Sequence, residues 1–147
     1  ILVGAGVVSS LSVFPYSHSY INLVAGGPVG GKQHLLDSNI DWGEDLLELS
    51  QWVEANPNAR PLHTALTSLI PLASVNIHSQ SVPRRDEDSE APPIALKPGW
   101  YAVSVNQLMG YRIFGLDRPD CRALQTMDPV HRIGYSIYIY EIADSTE

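Results

Sequence analysis

The sequence predicts a single α/β or α+β domain in which helices pack on a small sheet of three or four strands. Hydrophobic residues make up 44% of the 147 residues, which is enough for one core. A helical repeat of apolar residues follows residue 45, and two segments rich in β-forming residues follow Pro98 and Ile133. Helical segments between strands are typical of layered proteins of these classes.

The first segment, residues 1–14, carries no charged side chain. It is shorter than the roughly 20 residues that a membrane helix needs. Three alternatives remain: a buried helix or strand, a signal-peptide core, or the last turns of a membrane helix. A signal peptide needs basic residues before its apolar run, and none is present. Small residues favour close helix packing in a bilayer, so we expect the end of a membrane helix, followed by a soluble domain over 15–147.

Three helices are predicted in the first half of that domain. Short helices are expected over 16–24 and 30–36. The clearest helix has Asp41 as its N-cap, and Glu44 stands three residues later, as in a capping box. Its apolar stripe then follows the helical period and consists of Leu46, Leu47, Leu49, Trp52 and Val53.

The strands follow that helix, with short helical segments and loops between them. The last strand carries bulky side chains on both faces, which predicts that the sheet is covered on both sides. The segment 80–98 is rich in charge and proline and is therefore expected to be a solvated, flexible loop. In order we predict a strand at 62–67, a helical turn at 71–77, the loop at 80–98, a strand at 100–105, a helix at 108–116, a loop at 118–129 and a strand at 134–142.

Composition excludes some classes of function. The net charge of −7 makes the average surface repel phosphate, so nucleic-acid binding is disfavoured. Cys121 is the single cysteine, and the polar segment around it shows no histidine with which it could pair. The five histidines have no close metal-ligand spacing. We therefore expect no metal and no cofactor in this chain.

The most specific feature is the acidic segment before the clearest helix, and its candidate ligand-binding residues are Asp37, Asn39, Asp41, Trp42 and Asp45. Together with Glu48, the oxygen-bearing residues fall on the ligand positions of a calcium-binding EF-hand loop. The pattern fails at the sharp turn, because Trp42 occupies the position of the glycine. Two of the acids also suit acid–base work as a carboxylate pair.

A purely structural interpretation of the same segment needs no ligand. Asp37 and Asn39 would bond the local backbone, Asp41 would cap the helix, and Trp42 would pack against the sheet. A ligand patch would instead expose Trp42 for stacking on a sugar, with carboxylates and an amide beside it. Burial of Trp42 separates the two interpretations.

Several segments together resemble the C-terminal region of bacterial phospholipid-carrier-dependent, protein-mannosyltransferase-like membrane glycosyltransferases. The segment 36–46, with its Asp-Ser-Asn-Ile-Asp-Trp-Gly string, carries most of the resemblance, and segments 15–28, 98–110 and 133–142 match in order and rough spacing. The chain departs from the pattern at Glu44, where glutamine is expected, and in the acidic, proline-rich insert at 80–98.

The resemblance implies an accessory domain, on the extracytoplasmic side, of a multi-spanning enzyme that moves sugar from a lipid-linked donor. Its partners would be the membrane portion of the parent protein and a glycan or acceptor, and not nucleic acid. The catalytic acid of such enzymes lies in an early extracytoplasmic loop, which this chain does not contain. A structural or oligomerisation module is the alternative, and a free-standing calcium-binding or hydrolase domain is a third.

Overall fold

The computed structural model describes residues 7–8, 10–11, 14, 16, 21, 26–30, 36, 41–85, 91–111 and 118–144 of the chain. Its helices and strands in chain order are α1 (Gly27–Gly30), α2 (Leu46–Ala55), β1 (Leu62–Ala65), a first 3-10 helix (Leu72–Val75), β2 (Gln80–Ser81), β3 (Arg84–Arg85), β4 (Gly99–Ser104), α3 (Val105–Leu108), β5 (Arg118–Pro119), a second 3-10 helix (Arg122–Thr126), β6 (His131–Ile133) and β7 (Ile137–Ile142).

Five strands form one mixed sheet in the order β2-β1-β4-β7-β6. Strand β1 is parallel to both β2 and β4, whereas β7 is antiparallel to both β4 and β6. A separate antiparallel pair joins β3 and β5. The predicted class is confirmed, and the main sheet has five strands instead of three or four. Strands β2 and β6 escape prediction because two or three residues are too few to show an alternating pattern.

The sheet is covered on both faces, as the composition of β7 predicts. Ile137 and Ile139 lie on one face and Tyr138 and Tyr140 on the other, and all four side chains are at most 2% exposed. Helix α2 and the first 3-10 helix cover the isoleucine face, where the buried residues are Leu46, Leu49, Val53, Leu62, Ile77, Ala102, Ile133, Ile137 and Ile139. Helix α3 and the second 3-10 helix cover the tyrosine face, where they are Ala65, Val82, Tyr101, Val103, Val105, Leu108, Cys121, Leu124, Tyr138 and Tyr140.

Helix α2 confirms the predicted stripe at Leu46, Leu49 and Val53, with Trp52 partly buried, whereas Leu47 is exposed and the helix starts later than predicted. It begins at Leu46, with Asp45 as an N-cap that makes no side-chain capping bond. The Asp41–Glu44 capping box is therefore wrong. Gly43 has φ of +81°, outside the helical region, and its N–H donates to the Asp41 carboxylate at 2.8 Å. The chain thus makes a separate turn before the helix begins.

The other predicted elements differ in their limits. The strand at 62–67 and the turn at 71–77 are confirmed at Leu62–Ala65 and Leu72–Val75. The helix expected at 108–116 is wrong as drawn: α3 ends at Leu108, Gly110 follows with φ of +72°, and 112–117 lie outside the described residues. The predicted loops 80–98 and 118–129 contain the short strands and the second 3-10 helix.

The beginning of the chain is described only in part. The helices expected over 16–24 and 30–36 fall mostly outside the described residues, as does most of the apolar segment 1–14. Among the residues that are described, no helix has both the length and the apolar character needed to cross a membrane.

Candidate functional site

The turn before α2 lies at the edge of the sheet where the parallel strands β1 and β4 end. Ser104 is the last residue of β4, and Thr67 follows the end of β1 by two residues. The Ser104 Oγ accepts a hydrogen bond from the Thr67 N–H at 3.2 Å and lies 3.0 Å from the Thr67 Oγ1. In open α/β sheets, ligands bind outside the carboxyl ends of parallel strands. The candidate site therefore lies at this edge.

Asp41 is buried at this edge, with 3% of its surface exposed. Its Oδ1 accepts the Gly43 N–H, while its buried Oδ2 accepts no well-formed hydrogen bond from any described residue. Burial raises the pKa of Asp41 to about 6, against the lowering effect of the Gly43 N–H and of the Ser104 and Thr67 hydroxyls. The structure holds a carboxyl group in a place where its charge is poorly solvated.

Asp45 joins the same turn to the strand β7. It is 4% exposed, and its Oδ2 accepts hydrogen bonds from the Ser136 Oγ at 2.6 Å and the Ser136 N–H at 3.4 Å. Burial raises the pKa of Asp45, and the Ser136 hydroxyl opposes that rise. Gly134 has φ of +53°, and a Cβ there would overlap the Asp45 carboxylate. The contact therefore requires glycine at position 134 on two counts.

Trp42 points in the opposite sense from the two acids. It is 57% exposed, and Glu44 beside it is exposed too. The Glu44 Oε2 accepts the Trp42 N–H at 2.7 Å, which fixes the backbone of the turn. The prediction that Trp42 packs against the sheet is wrong, because the Asp41–Gly43 bond turns the chain outward at residue 42.

A second contact anchors the first turn of α2 from outside. The Tyr16 hydroxyl donates to the Glu48 Oε2 at 2.7 Å, and the Tyr16 ring meets the Tyr135 ring edge-on with 5.5 Å between centroids. The bond to Glu48 is the largest cause that raises the pKa of Tyr16 to about 12. Residues from three distant parts of the sequence thus meet at the start of α2.

The structure separates the predicted site residues into two kinds. Asp41 and Asp45 face the sheet, and Trp42 faces outward, so these three do not form one open pocket. Asp37 and Asn39 lie outside the described residues. In the part of the chain that the structure describes, no group of three or more His, Cys, Asp or Glu side chains is arranged to hold a metal ion.

The hydroxyl partners of the two acids were not predicted from the sequence. The predicted strand 100–105 places Ser104 one residue before its end, and the predicted strand 134–142 includes Ser136, which lies instead in the turn before β7. The sequence signal for a residue such as Ser104 is a serine at the end of a buried strand of a parallel pair. The strand limits, however, must first be known to within one residue.

Two other buried reactive groups lie away from this edge. Burial raises the pKa of the Cys121 thiol to about 12, so the thiol does not ionise near neutral pH. The ring of His63 stacks on Tyr101 at 4.7 Å, and its buried Nε2 has no hydrogen-bond partner among the described residues. Burial lowers the pKa of His63. Neither residue was predicted to act in a site.

The sequence matches no protein-family model, no curated protein and no solved structure.

Proposed function

We propose that this chain is an accessory, non-catalytic domain of a membrane glycosyltransferase that uses a lipid-linked sugar donor. In this role it contacts the glycan or acceptor on the extracytoplasmic side, through the turn formed by residues 41–45. The sequence resemblance over segments 15–28, 36–46, 98–110 and 133–142 supports the class of parent protein.

The exposure of Trp42 is the observation that supports a glycan contact. An indole that is 57% exposed on a well-anchored turn, at the carboxyl edge of β1 and β4, offers an apolar face to a sugar ring. Glu44 supplies an exposed carboxylate next to it for hydroxyl groups. Asp41 and Asp45 stabilise the turn from its buried side and need not touch the sugar.

A structural module is the second candidate, and the bonds of the two buried acids favour it. Asp41 holds the turn through Gly43, and Asp45 holds α2 to the sheet through Ser136. These bonds account for Asp45 and for the Asp41 Oδ1 without any ligand. On this alternative the chain caps the membrane portion of the parent protein or mediates its assembly.

The coding sequence upstream of Ile1 tests the parent class. We expect several membrane-spanning segments and an acidic residue in an early extracytoplasmic loop. A reading frame that opens within a few codons of Ile1 would overturn the assignment to a membrane enzyme, and a multi-spanning protein without that acid would favour the structural module.

Glycan contact at Trp42 is tested on the chain itself. The three tryptophans give three indole N–H signals in a nitrogen-15-labelled sample, and Trp42→Ala assigns one of them. We expect the Trp42 signal to shift when mannohexaose, cellohexaose or chitohexaose is added. A concentration of about 10 mM is enough to detect a millimolar Kd, which corresponds to a binding free energy of roughly −4 kcal/mol. An unchanged Trp42 signal with all three sugars would leave the structural module as the better account.

A further inference from the structure

The opposite edge of the sheet, where β1 and β4 begin, carries a groove that the proposed function does not use. The groove has a volume of about 590 Å³ and is lined in part by Arg60, Lys97, Trp100 and Glu141. Because β1 and β4 are parallel, the edge where they begin lies opposite the edge where they end, which carries the turn at Trp42. We call this 590 Å³ groove the Trp100 groove.

The sheet register places an indole and a carboxylate side by side in this groove. Trp100 on β4 pairs directly with Glu141 on β7, and paired residues of antiparallel strands project from the same face. Trp52 of α2 lies behind Trp100 with 5.7 Å between ring centroids, and His131 stacks on Trp52 at 6.0 Å. The Trp100 ring is therefore held in place by a row of aromatic side chains.

Two cations complete the groove. The Arg60 Nη1 donates to the Ala59 carbonyl at 2.9 Å, which restricts the guanidinium. The Lys97 carbonyl accepts the Tyr101 hydroxyl at 2.8 Å, so the backbone that carries its ammonium group is fixed. Among the described residues, no ion pair joins Arg60 or Lys97 to Glu141. The groove thus offers two cationic donors, Arg60 and Lys97, and a carboxylate acceptor, Glu141, that are not joined in an ion pair.

We propose that the Trp100 groove binds a saccharide, with one pyranose ring against Trp100 and its hydroxyls on Glu141, Arg60 and Lys97. A sugar hydroxyl both donates and accepts, which matches a groove that offers a carboxylate acceptor and two cationic donors beside an aromatic ring. A phosphate or another simple anion fits less well, because Glu141 and Asp144 both line the groove of a chain with net charge −7. The site does not depend on Trp42.

The same indole spectra test this site separately from the first. Trp52→Phe distinguishes the Trp52 indole signal from that of Trp100. We expect the Trp100 signal to shift with at least one of mannohexaose, cellohexaose and chitohexaose, and the shift to persist in Trp42→Ala. Glu141→Gln removes the negative charge from an exposed position and should weaken the apparent affinity about tenfold, the factor that corresponds to 1.4 kcal/mol. Glu54→Gln, an exposed acid of α2 outside the groove, is the matched control and should leave the affinity unchanged.

The outcomes are distinct. A shift confined to Trp42 would uphold the first surface and overturn this inference. A Trp100 shift that Glu141→Gln leaves at full affinity would also overturn it, since the carboxylate would then not contact the sugar. No shift of Trp100 with any of the three sugars would overturn it as well, and because Glu141 is exposed, loss of folding does not confuse the comparison.

Discussion

Asp41 holds the turn before α2 and Asp45 joins the start of α2 to the turn before β7, and both carboxyl groups are buried at an electrostatic cost. An acid whose pKa is higher in the folded chain than in the unfolded chain binds more protons when folded. The free energy of unfolding therefore falls as pH rises between the two pKa values. For Asp41 these are the ordinary value of 3.8 and the folded value of about 6.

Asp41→Asn tests that cost. One pKa unit corresponds to about 1.4 kcal/mol, and the unfolded carboxyl is already partly ionised at pH 4. Asp41 should therefore lower the free energy of unfolding by about 2 kcal/mol at pH 7 relative to pH 4. The asparagine side chain can still accept the Gly43 N–H, so we expect the variant to equal the natural chain near pH 4 and to exceed it at pH 7. Urea unfolding at both pH values measures the difference. If the variant and the natural chain differ in free energy of unfolding by the same amount at pH 4 and pH 7, this would contradict the inference that burial raises the pKa of Asp41.

Cys121 offers a second test at a single residue. Its buried thiol has a pKa of about 12, against an ordinary 9.0, so the reactive thiolate is scarce in the folded chain at pH 8. We expect a thiol reagent to label the folded chain at least about a hundredfold more slowly than the urea-unfolded chain. The rate of colour release from a disulfide reagent measures this, and similar rates in both states would show that the thiol is accessible.

At the scale of elements, the sequence predicts what repeats and misses what depends on tertiary contacts. The two faces of β7 follow from local periodicity and are confirmed, and so is the α2 stripe except at Leu47, which is exposed. The start of α2 could not be predicted, because Asp41 is as good an N-cap as Asp45 until the turn at Gly43 separates them. The bond from Ser136 to Asp45 spans 91 positions, which no local pattern reveals.

Two leucines of α2 test the packing of that helix. Leu49 is fully buried and Leu47 is 65% exposed, although both were predicted to belong to one stripe. We expect Leu49→Ala to lower the free energy of unfolding by about 2–5 kcal/mol, through lost burial and a cavity. Leu47→Ala should change it by less than about 0.5 kcal/mol. Chemical denaturation of both variants gives the comparison, and equal losses would mean that α2 is packed differently.

At the scale of the whole molecule, the sheet is mixed and its central strands are enclosed. Strands β4 and β7 lie in the interior of the sheet order, and their side chains contribute to both buried clusters. Strands β2 and β6 form the edges and have only two and three residues. The protein therefore has a long, buried centre and short edges, which limits pairing with other chains.

Hydrogen exchange should report the same arrangement. We expect the slowest backbone amides in β4 and β7, at Ala102, Val103, Ile139 and Tyr140, because their exchange requires opening of the whole fold. Amides of β2 should exchange much faster through local opening. Native-state exchange followed by NMR measures both sets. Slower exchange in β2 than in β7 would contradict the strand order.

The contact between Gly134 and Asp45 has a consequence for how related sequences can differ. A side chain at position 134 would occupy the place of the carboxylate at position 45, and the left-handed backbone there disfavours it as well. The two positions should therefore vary together in descendants of this sequence: a residue larger than glycine at 134 should appear only where position 45 has lost its carboxylate and the turn has changed its backbone. An alignment in which they vary independently would show that the helix and the turn can shift apart.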